Sequence, residues 1–462
     1  MAEDPLVTAA EVARLAGVGR AAVSNWRRRY ADFPCAAEGT AAGPRFRLSQ
    51  IQRWLDEQGR SAPPSAMEQL WRALRADDET GEMAALARLA RQLRAPSARL
   101  APEPVRAALA RLADTPRAEL LDAVCEQFFT VQQRAHLTTP PQLAALMTEL
   151  AAPFQTVFDP ACGPGSLLLA AAGRGAGSVE GQEIDTGLAE LAQARLGLHT
   201  HARVRPGDSL RADAFPGLRA DAVLCHPPFA QRDWGHAELG IDRRWEYGFP
   251  PKGEPELAWL QHCLAHARPG GTVVLLLTAG VAARRAGRSI RQALLRRGVL
   301  RAVIGLPGGV LMTTGVPLHL WVLRAPPVEP NEPVLLLDAG EHRPARRGQV
   351  DWAALRQAVL GPWREFTETP AVPEVAGRVR SVAPIELLDE EVDLTPARHL
   401  PLPRPEFDVA ATTKLRDRLA ELLVTLGASL PRIEPAQRAD ASSTTVGELA
   451  RAGALRLHQP ST

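Results

Sequence analysis

Between residues 136 and 325, short runs of β-branched and aliphatic residues alternate with segments of helical spacing. This alternation is typical of an open α/β sheet with helices packed on its faces. A glycine-rich turn follows the first run, which favours a Rossmann-like fold over a barrel. We therefore expect seven strands in the segments TVFDP, SVEGQEI, ARVRP, DAVLC, TVVLLLT, LRAVIGL and LHLWVLR.

The first segment of the chain, residues 1–60, has a different pattern. Thr8 can cap a helix, a GVG turn follows, a second helix begins at Arg20, and a β-like stretch around Phe46 precedes a third helix. This order resembles winged helix-turn-helix modules of the MerR or excisionase type. The resemblance implies a groove-facing surface formed by Arg20, Ser24, Asn25, Arg27 and Arg28. The alternative is a solvated basic helix in a protein-docking module.

The remaining segments predict two further regions around the α/β domain. Residues 61–135 are rich in Ala, Leu and Arg at helical spacing, which indicates a helical linker domain. Residues 326–462 form a C-terminal extension with one apolar strand, PVLLLDAG, and one amphipathic helix near its end. A leucine stripe on that helix should pack on its own domain or against a partner helix; it comprises Leu415, Leu419, Leu422, Leu426 and Leu430.

Charge and cysteine content exclude several classes of protein. The chain has 54 basic and 52 acidic side chains, so bulk charge gives no argument for nucleic acid or a membrane surface. Five scattered cysteines and no apolar run of spanning length predict a cytoplasmic protein without membrane association. His262, Cys263 and His266 fall on one predicted helix without a recognisable third ligand, so we expect core histidines and no metal.

Acidic residues follow three successive predicted strands. Asp159 precedes the turn ACGPG, in which Gly163 and Gly165 permit a close approach of backbone to ligand. Glu183 ends the second strand, where a carboxylate can bind both hydroxyls of a ribose. Asp208 ends the third, where it can accept a hydrogen bond from an adenine amine. Together they predict a nucleoside-cofactor site at the carboxyl edge of the sheet.

The fourth strand ends in HPPF, formed by His226, Pro227, Pro228 and Phe229. With HLTTPPQLAALM, FDPACGPGSLLLAA, GQEID, GDSL, PPKGEPELAWLQH and DLTPARHLP, this loop resembles the N-6 adenine DNA methyltransferases, specifically the modification (M) subunits of type I restriction-modification systems. The resemblance covers about residues 125–400. It implies a Rossmann-like class I S-adenosylmethionine-dependent methyltransferase fold, preceded here by the winged helix-turn-helix and the helical linker.

The resemblance also implies roles for individual residues. S-adenosylmethionine would donate its methyl group to N6 of an adenine flipped out of double-stranded DNA. The methionine end would contact Asp159, Ala161, Gly163 and Gly165 and be covered by Thr138, Thr139 and Pro140. The ribose would bind Glu183, and the adenine ring would meet Asp208 and Ile184. In the HPPF loop, the first side chain and the first proline carbonyl accept from N6–H, while the aromatic ring stacks on the base.

One residue departs from the family pattern, because His226 stands where the family has Asn, Asp or Ser. A neutral imidazole offers one acceptor nitrogen and a protonated one offers none. We therefore expect activity to fall as the pH drops through the reference pKa of about 6.5, and His226→Asn to hold or raise activity. The alternative is a weak or inactive relative that acts as a DNA-binding regulator or assembly subunit.

Partners follow from the same resemblance. M subunits obtain sequence specificity from a separate subunit, so we expect a specificity (S-like) partner to dock on the C-terminal helix. A proline-proline-aromatic loop also serves enzymes that methylate RNA amines or a protein glutamine amide, so the loop alone does not select DNA. The sequence does not determine the oligomeric state.

Overall fold

A computed structural model describes residues 6–40, 43–59, 65–75, 82–98, 100–131, 138–312, 314–328, 331–402, 409–429 and 445–453. The chain divides into two compact units, Met1–Leu402 and Pro403–Thr462. Within the described residues, no helix combines the length and the apolar character needed to cross a membrane.

The N-terminal segment packs three helices on a small antiparallel sheet whose strand order is β1-β3-β2. Its elements are β1 (Leu6–Thr8), α1 (Ala9–Leu15), α2 (Arg20–Arg29), β2 (Glu38–Thr40), β3 (Gly43–Arg47) and α3 (Leu48–Glu57). Gly17 takes a positive φ of 65° in the turn between α1 and α2. The predicted start of a helix at Arg20 is confirmed, as is the buried face of α3 formed by Ile51, Trp54 and Leu55.

Four helices follow, in the region where the sequence predicts a helical linker. They are α4 (Ala66–Arg75), α5 (Glu82–Arg94), α6 (Glu103–Ala110) and α7 (Arg117–Val131). Their buried leucines and phenylalanines form one hydrophobic cluster, as expected from the apolar positions at helical spacing.

Nine strands of the described residues form the central sheet. They are β4 (Thr156–Asp159), β5 (Ser178–Glu183), β6 (His201–Pro206), β7 (Ala220–Cys225), β8 (Ala267–Thr278), β9 (Leu300–Leu306), β10 (Leu318–Arg324), β11 (Val334–Asp338) and β12 (Val379–Val382). The strand order is β12-β11-β9-β10-β8-β7-β4-β5-β6. Strand β10 runs antiparallel to β8 and β9, and β12 runs antiparallel to β11. All seven strands predicted from the sequence are present.

Helices cover both faces of this sheet. They are α8 (Pro141–Ala151), α9 (Ser166–Gly173), α10 (Thr186–Leu196), α11 (Pro255–His266), α12 (Arg288–Arg296), α13 (Trp352–Glu368) and the short α14 (Pro396–His399). One hydrophobic core contains residues of α8, α9 and α13, and a second contains residues of α11 and α12. The sheet and its helices thus form a three-layer α/β arrangement with a mixed sheet, as expected for a Rossmann-like fold.

The sheet continues beyond residue 325, where the sequence analysis ends the α/β domain. Strand β11, predicted as PVLLLDAG but assigned to the C-terminal extension, pairs in parallel with β9. Strand β12 then pairs with β11. The predicted boundary therefore falls between two strands of one sheet, because β11 and β12 bury their apolar faces in the same cores. The sequence missed β12 because only two of its four residues, Val379 and Val382, are apolar.

The second unit contains α15 (Val409–Ser429) and α16 (Val446–Arg451) among its described residues. Four leucines of the predicted stripe lie on α15 and keep 52–71% of their surface exposed; they are Leu415, Leu419, Leu422 and Leu426. Leu430 lies outside the described residues. The surface against which this stripe packs stays a prediction.

Candidate active site

A cavity lies where β4, β5, β6 and β7 end. These strands are parallel neighbours, so the residues that follow them meet at one edge of the sheet. The cavity has a volume of about 550 Å³. Twelve sequence-predicted residues line it: Thr138, Thr139, Asp159, Ala161, Gly163, Glu183, Ile184, Asp208, His226, Pro227, Pro228 and Phe229.

Two residues predicted to bind the cofactor, Pro140 and Gly165, do not line the cavity. Pro140 is the cap of α8, directly after Thr139. Gly165 caps α9 with a φ of 86°, a left-handed conformation that glycine adopts without strain. A Cβ at Gly165 would lie 3.2 Å from the Leu196 side chain, so this glycine allows α9 to pack closely on α10.

Asp159 ends β4 and is 1% exposed. Its Oδ1 accepts a hydrogen bond from the Ala161 N–H at 3.0 Å, which fixes the start of the glycine turn. Burial raises the pKa of Asp159 from 3.8 to about 8; the bond from Ala161 opposes this rise and the nearby Glu183 charge adds to it. A buried carboxyl of this kind is stabilised as an anion when a cation binds beside it.

Glu183 connects the end of β5 to the glycine turn after β4. Its Oε2 accepts from the Gly163 N–H at 2.8 Å, and its Oε1 accepts from the Asp185 N–H at 3.0 Å. Burial raises the pKa of Glu183, and these backbone bonds oppose the rise. Both oxygens keep further lone pairs, so the carboxylate can still accept from two hydroxyl groups.

The adenine side of the predicted cofactor site has a polar and an apolar residue. Asp208 accepts through Oδ1 from the N–H groups of Leu210 and Arg211, and its Oδ2 lies 3.4 Å from the Arg211 guanidinium. Ile184 is 65% exposed although it directly follows a buried strand. An aliphatic side chain held at a cavity wall offers a surface for a planar ring.

His226 lies directly after β7, and its Nδ1 is 3.0 Å from Oγ1 of Thr139. Its ring centre is 5.1 Å from that of Phe229. Burial lowers the pKa of His226 from 6.5 to about 4, so the ring is neutral at physiological pH. The expectation that its charge changes near pH 6.5 is therefore wrong, because the sequence does not report the burial of the ring.

Residues that the sequence analysis did not single out fix the far end of the HPPF loop. Ala230 has a φ of 54°, and its N–H donates to the buried Glu256 carboxylate at 3.4 Å. The Trp259 indole N–H donates to Gln231 at 3.2 Å, and both side chains line the cavity. The sequence did contain a pointer to Trp259, because this residue lies in PPKGEPELAWLQH, one of the segments that resemble the family.

Other lining residues come from segments without a site signal in the sequence. Leu311 and Thr314 reach the cavity from the loop between β9 and β10. The rest lie within four residues of predicted positions; they are Pro160, Cys162, Ser166, Leu167, Leu188, Gly207 and Ser209. Leu188 also belongs to the hydrophobic cluster of the helices α4 to α7, as do Leu191 and Ala194 of α10.

The predicted DNA-contacting residues lie on α2, outside the cavity lining. Arg20 begins the helix, and Ser24, Asn25, Arg27 and Arg28 are exposed. Arg28 donates to Asn25 at 3.0 Å, and the Arg27 guanidinium lies 5.8 Å from the Phe46 ring centre. Their DNA contact stays a prediction.

His262 and His266 are buried on α11, and Asp213 lies beside them. The potential ligand atoms of these three residues lie within 4.8 Å of one another. The sequence analysis missed Asp213, which lies in the loop between β6 and β7, far from the histidines in sequence. Arg244 donates to His262 Nδ1 at 2.8 Å, and His266 Nε2 is 3.1 Å from Asp213. Although burial opposes ionisation, His266 holds the pKa of Asp213 at about 2.

The fold is that of the class I S-adenosylmethionine-dependent methyltransferases, with a glycine turn after β4 and acidic residues at or after the ends of β5 and β6. The chain belongs to the N-6 DNA methylase family, whose model matches residues 126–397. The resemblance to that family is thereby confirmed.

Two curated relatives are similar to this chain. The methylase subunit of the type I restriction enzyme HindI from Haemophilus influenzae is 27% identical over 304 residues, which cover 62% of this chain and 68% of that subunit. The MjaIX methylase subunit from Methanocaldococcus jannaschii is 25% identical over 203 residues, covering 40% of this chain and 36% of that subunit.

Solved structures share the fold. The methyltransferase subunit of a type I restriction-modification system from Streptococcus thermophilus superposes with a TM-score of 0.56 at 20% identity, covering 85% of this chain and 91% of that one. A Listeria monocytogenes structure assigned to the class I S-adenosylmethionine-dependent methyltransferases gives a TM-score of 0.50 at 16% identity, covering 66% and 99%.

Proposed function

We propose that the protein transfers a methyl group from S-adenosylmethionine to N6 of an adenine in double-stranded DNA, as the modification component of a restriction-modification or defence system. The main support is that a single cavity is lined both by the three carboxylates at the strand ends and by the HPPF loop. Family membership and the similarity to type I methylase subunits support the same conclusion.

The residues of the cavity fit the cofactor. Asp159 and the glycine turn would hold the methionine part, because a buried carboxyl with a raised pKa gains most from a nearby ammonium. Glu183 would accept from the ribose hydroxyls, and Ile184 and Asp208 would meet the adenine. The bound cofactor supplies an electrophilic methyl group, so the protein needs to position the acceptor nitrogen rather than activate the donor.

The HPPF loop supplies the groups for the target base. The His226 ring is neutral, so one of its nitrogens can accept from an N6–H bond, and the Pro227 carbonyl can accept from the other. Two such acceptors direct the nitrogen lone pair toward the methyl carbon. Phe229 would stack on the base. Methyl transfer would break the sulfur–carbon bond of the cofactor as the N6–carbon bond forms, and the surplus proton on N6 would pass to water.

The presence of His226 in the position of the family's Asn favours one alternative function. The acceptor nitrogen of an imidazole lies at a different distance from the backbone than the amide oxygen of Asn. A misplacement of about 1 Å can cost about a hundredfold in rate. The protein would then bind cofactor and DNA without turnover, as a regulator or assembly subunit.

A labelled methyl-transfer assay distinguishes these functions. Wild-type protein should label DNA that lacks adenine methylation, and should not label RNA or protein acceptors. His226→Asn should hold or raise the rate, and His201→Asn, at an exposed histidine that begins β6, is the matched control. Binding of cofactor and DNA without labelling in wild type would support the regulatory alternative. Loss of activity in His226→Asn would show that the imidazole has a role of its own.

We further propose that a specificity (S-like) subunit docks on the leucine stripe of α15. The exposed Leu419 and Leu422 form part of an apolar surface on a helix of 21 residues. Co-elution with such a subunit should occur for wild type and fail for the double variant Leu419→Glu, Leu422→Glu. Site-specific methylation by a stable monomer would contradict this partner.

A further inference from the structure

The hydrogen bond between Thr139 and His226 joins two distant parts of the chain. Thr139 precedes α8 and is 6% exposed, and His226 follows β7, 87 residues later. The bond uses Nδ1 of the imidazole, at 3.0 Å from the threonine Oγ1. Both residues line the cavity. Within the described residues, the hydrogen bond of the His226 ring is made through Nδ1 and not through Nε2.

A neutral imidazole carries one proton, so the role of each nitrogen depends on the other. If the Thr139 hydroxyl donates to Nδ1, the proton of the ring lies on Nε2. Nε2–H would then be a donor facing the cavity, and it could not accept a hydrogen bond from an adenine N6–H. If Nδ1–H donates to the Thr139 oxygen, Nε2 presents its lone pair to the cavity. Only the second tautomer accepts from N6–H.

We infer that Thr139 is a positioning residue that accepts the Nδ1 proton of His226 and so makes Nε2 the acceptor for the target amine. This inference rests on the proposed function, because it assigns an acceptor role to His226. An Asn in the same position needs no such partner, since its amide oxygen is always an acceptor. The threonine partner therefore matters because this chain carries a histidine.

The hydroxyl proton of Thr139 then has to point away from the ring. No second hydrogen bond of this hydroxyl is observed within the described residues, so its proton is available to an acceptor in the cavity. A bound cofactor that supplies such an acceptor would fix Thr139 as an acceptor toward His226. Cofactor binding would thus favour the ring tautomer that the methyl acceptor requires.

A double-mutant cycle tests the inference. Thr139→Val keeps the shape of the side chain and removes its oxygen, and Thr139→Ser keeps the oxygen. At saturating cofactor, Thr139→Val should lower the rate of DNA methylation about tenfold in the His226 protein, and Thr139→Ser should restore most of it. In the His226→Asn background, Thr139→Val should cost less than about threefold. Thr148→Val is the matched control, because its buried hydroxyl donates to the Ala145 carbonyl on the same helix.

An NMR measurement gives a readout that does not need turnover. In protein with 15N-labelled histidine and bound S-adenosylmethionine, the His226 signal, identified by its loss in His226→Asn, should show protonated Nδ1 and unprotonated Nε2. A proton on Nε2 would overturn the inference, as would an equal Thr139→Val penalty in both backgrounds. If no acceptor is methylated at all, the proposed function fails, while the tautomer of His226 still decides whether Thr139 has this role.

Discussion

The protonation state of Asp159 should control cofactor affinity. The pKa of this carboxyl is about 8, so at pH 6 about one molecule in a hundred carries the anion and at pH 7 about one in ten. An α-amino group has a pKa of about 7.7–8.0 and is therefore mostly protonated in this range. If the ammonium of the methionine part binds the Asp159 anion, binding must release one proton. The dissociation constant should fall about tenfold, or about 1.4 kcal/mol, from pH 6 to pH 7.

Isothermal titration calorimetry with S-adenosylmethionine measures both quantities. Titrations in two buffers of different ionisation enthalpy should report release of nearly one proton at pH 7. Asp159→Asn should weaken binding and abolish the pH dependence. Asp208→Asn is the matched control, because it removes a charge from the same cavity without a direct effect on Asp159, so it should weaken binding while the pH dependence remains.

Two results would refute this reasoning about Asp159. A dissociation constant that does not change between pH 6 and pH 7 would show that the carboxylate is not neutralised by the cofactor. Proton release that persists unchanged in Asp159→Asn would assign the titration to a different group.

Further predictions concern stability, pH and DNA. The unloaded protein should lose thermal stability from pH 6 to pH 8, because the folded state binds the Asp159 proton more tightly than the unfolded chain; Asp159→Asn should flatten this slope in scanning fluorimetry. Asp221→Asn should lower the free energy of unfolding in urea by about 2 kcal/mol, since this carboxylate accepts from two backbone N–H groups at the start of β4. At saturating cofactor, protonation of His226 should not reduce methylation between pH 8 and pH 6, because its pKa is about 4, and a decline centred near pH 6.5 would contradict this. The double variant Arg27→Ala, Arg28→Ala should weaken DNA retention and reduce its salt dependence by about two ions, with unchanged cofactor affinity in calorimetry.

Much of the fold follows from local patterns. The strands of the central sheet are short aliphatic runs between helices. Asp159 and Glu183 end strands, and Asp208 lies two residues after one. Parallel strands bring their carboxyl ends to one edge, so the sequence is sufficient to place these acids together. The position of β10 between β8 and β9 depends on strand pairing across the whole domain. The periodicity of apolar residues does not predict such pairing.

The parts of the site that escaped prediction depend on contacts between distant segments. Leu311 lines the cavity from a loop that carries no motif of its own, and Asp213 reaches His266 from a different loop. The neutral state of His226 depends on burial, which changes its pKa by desolvation. Its bond to Thr139 joins positions whose spacing in sequence gives no signal of proximity.

Helix α10 belongs to two parts of the molecule at once. Its Leu188 lines the cavity at the carboxyl edge of the sheet, and Leu188 and Leu191 are buried in the cluster of α4 to α7. A shortened version that starts at β4 would expose these leucines to water and remove the support behind the wall of the cavity that Leu188 forms. The smallest portion suited to recombinant production therefore begins before α4, and deletion of the helical region should produce an aggregating polypeptide rather than an unregulated enzyme.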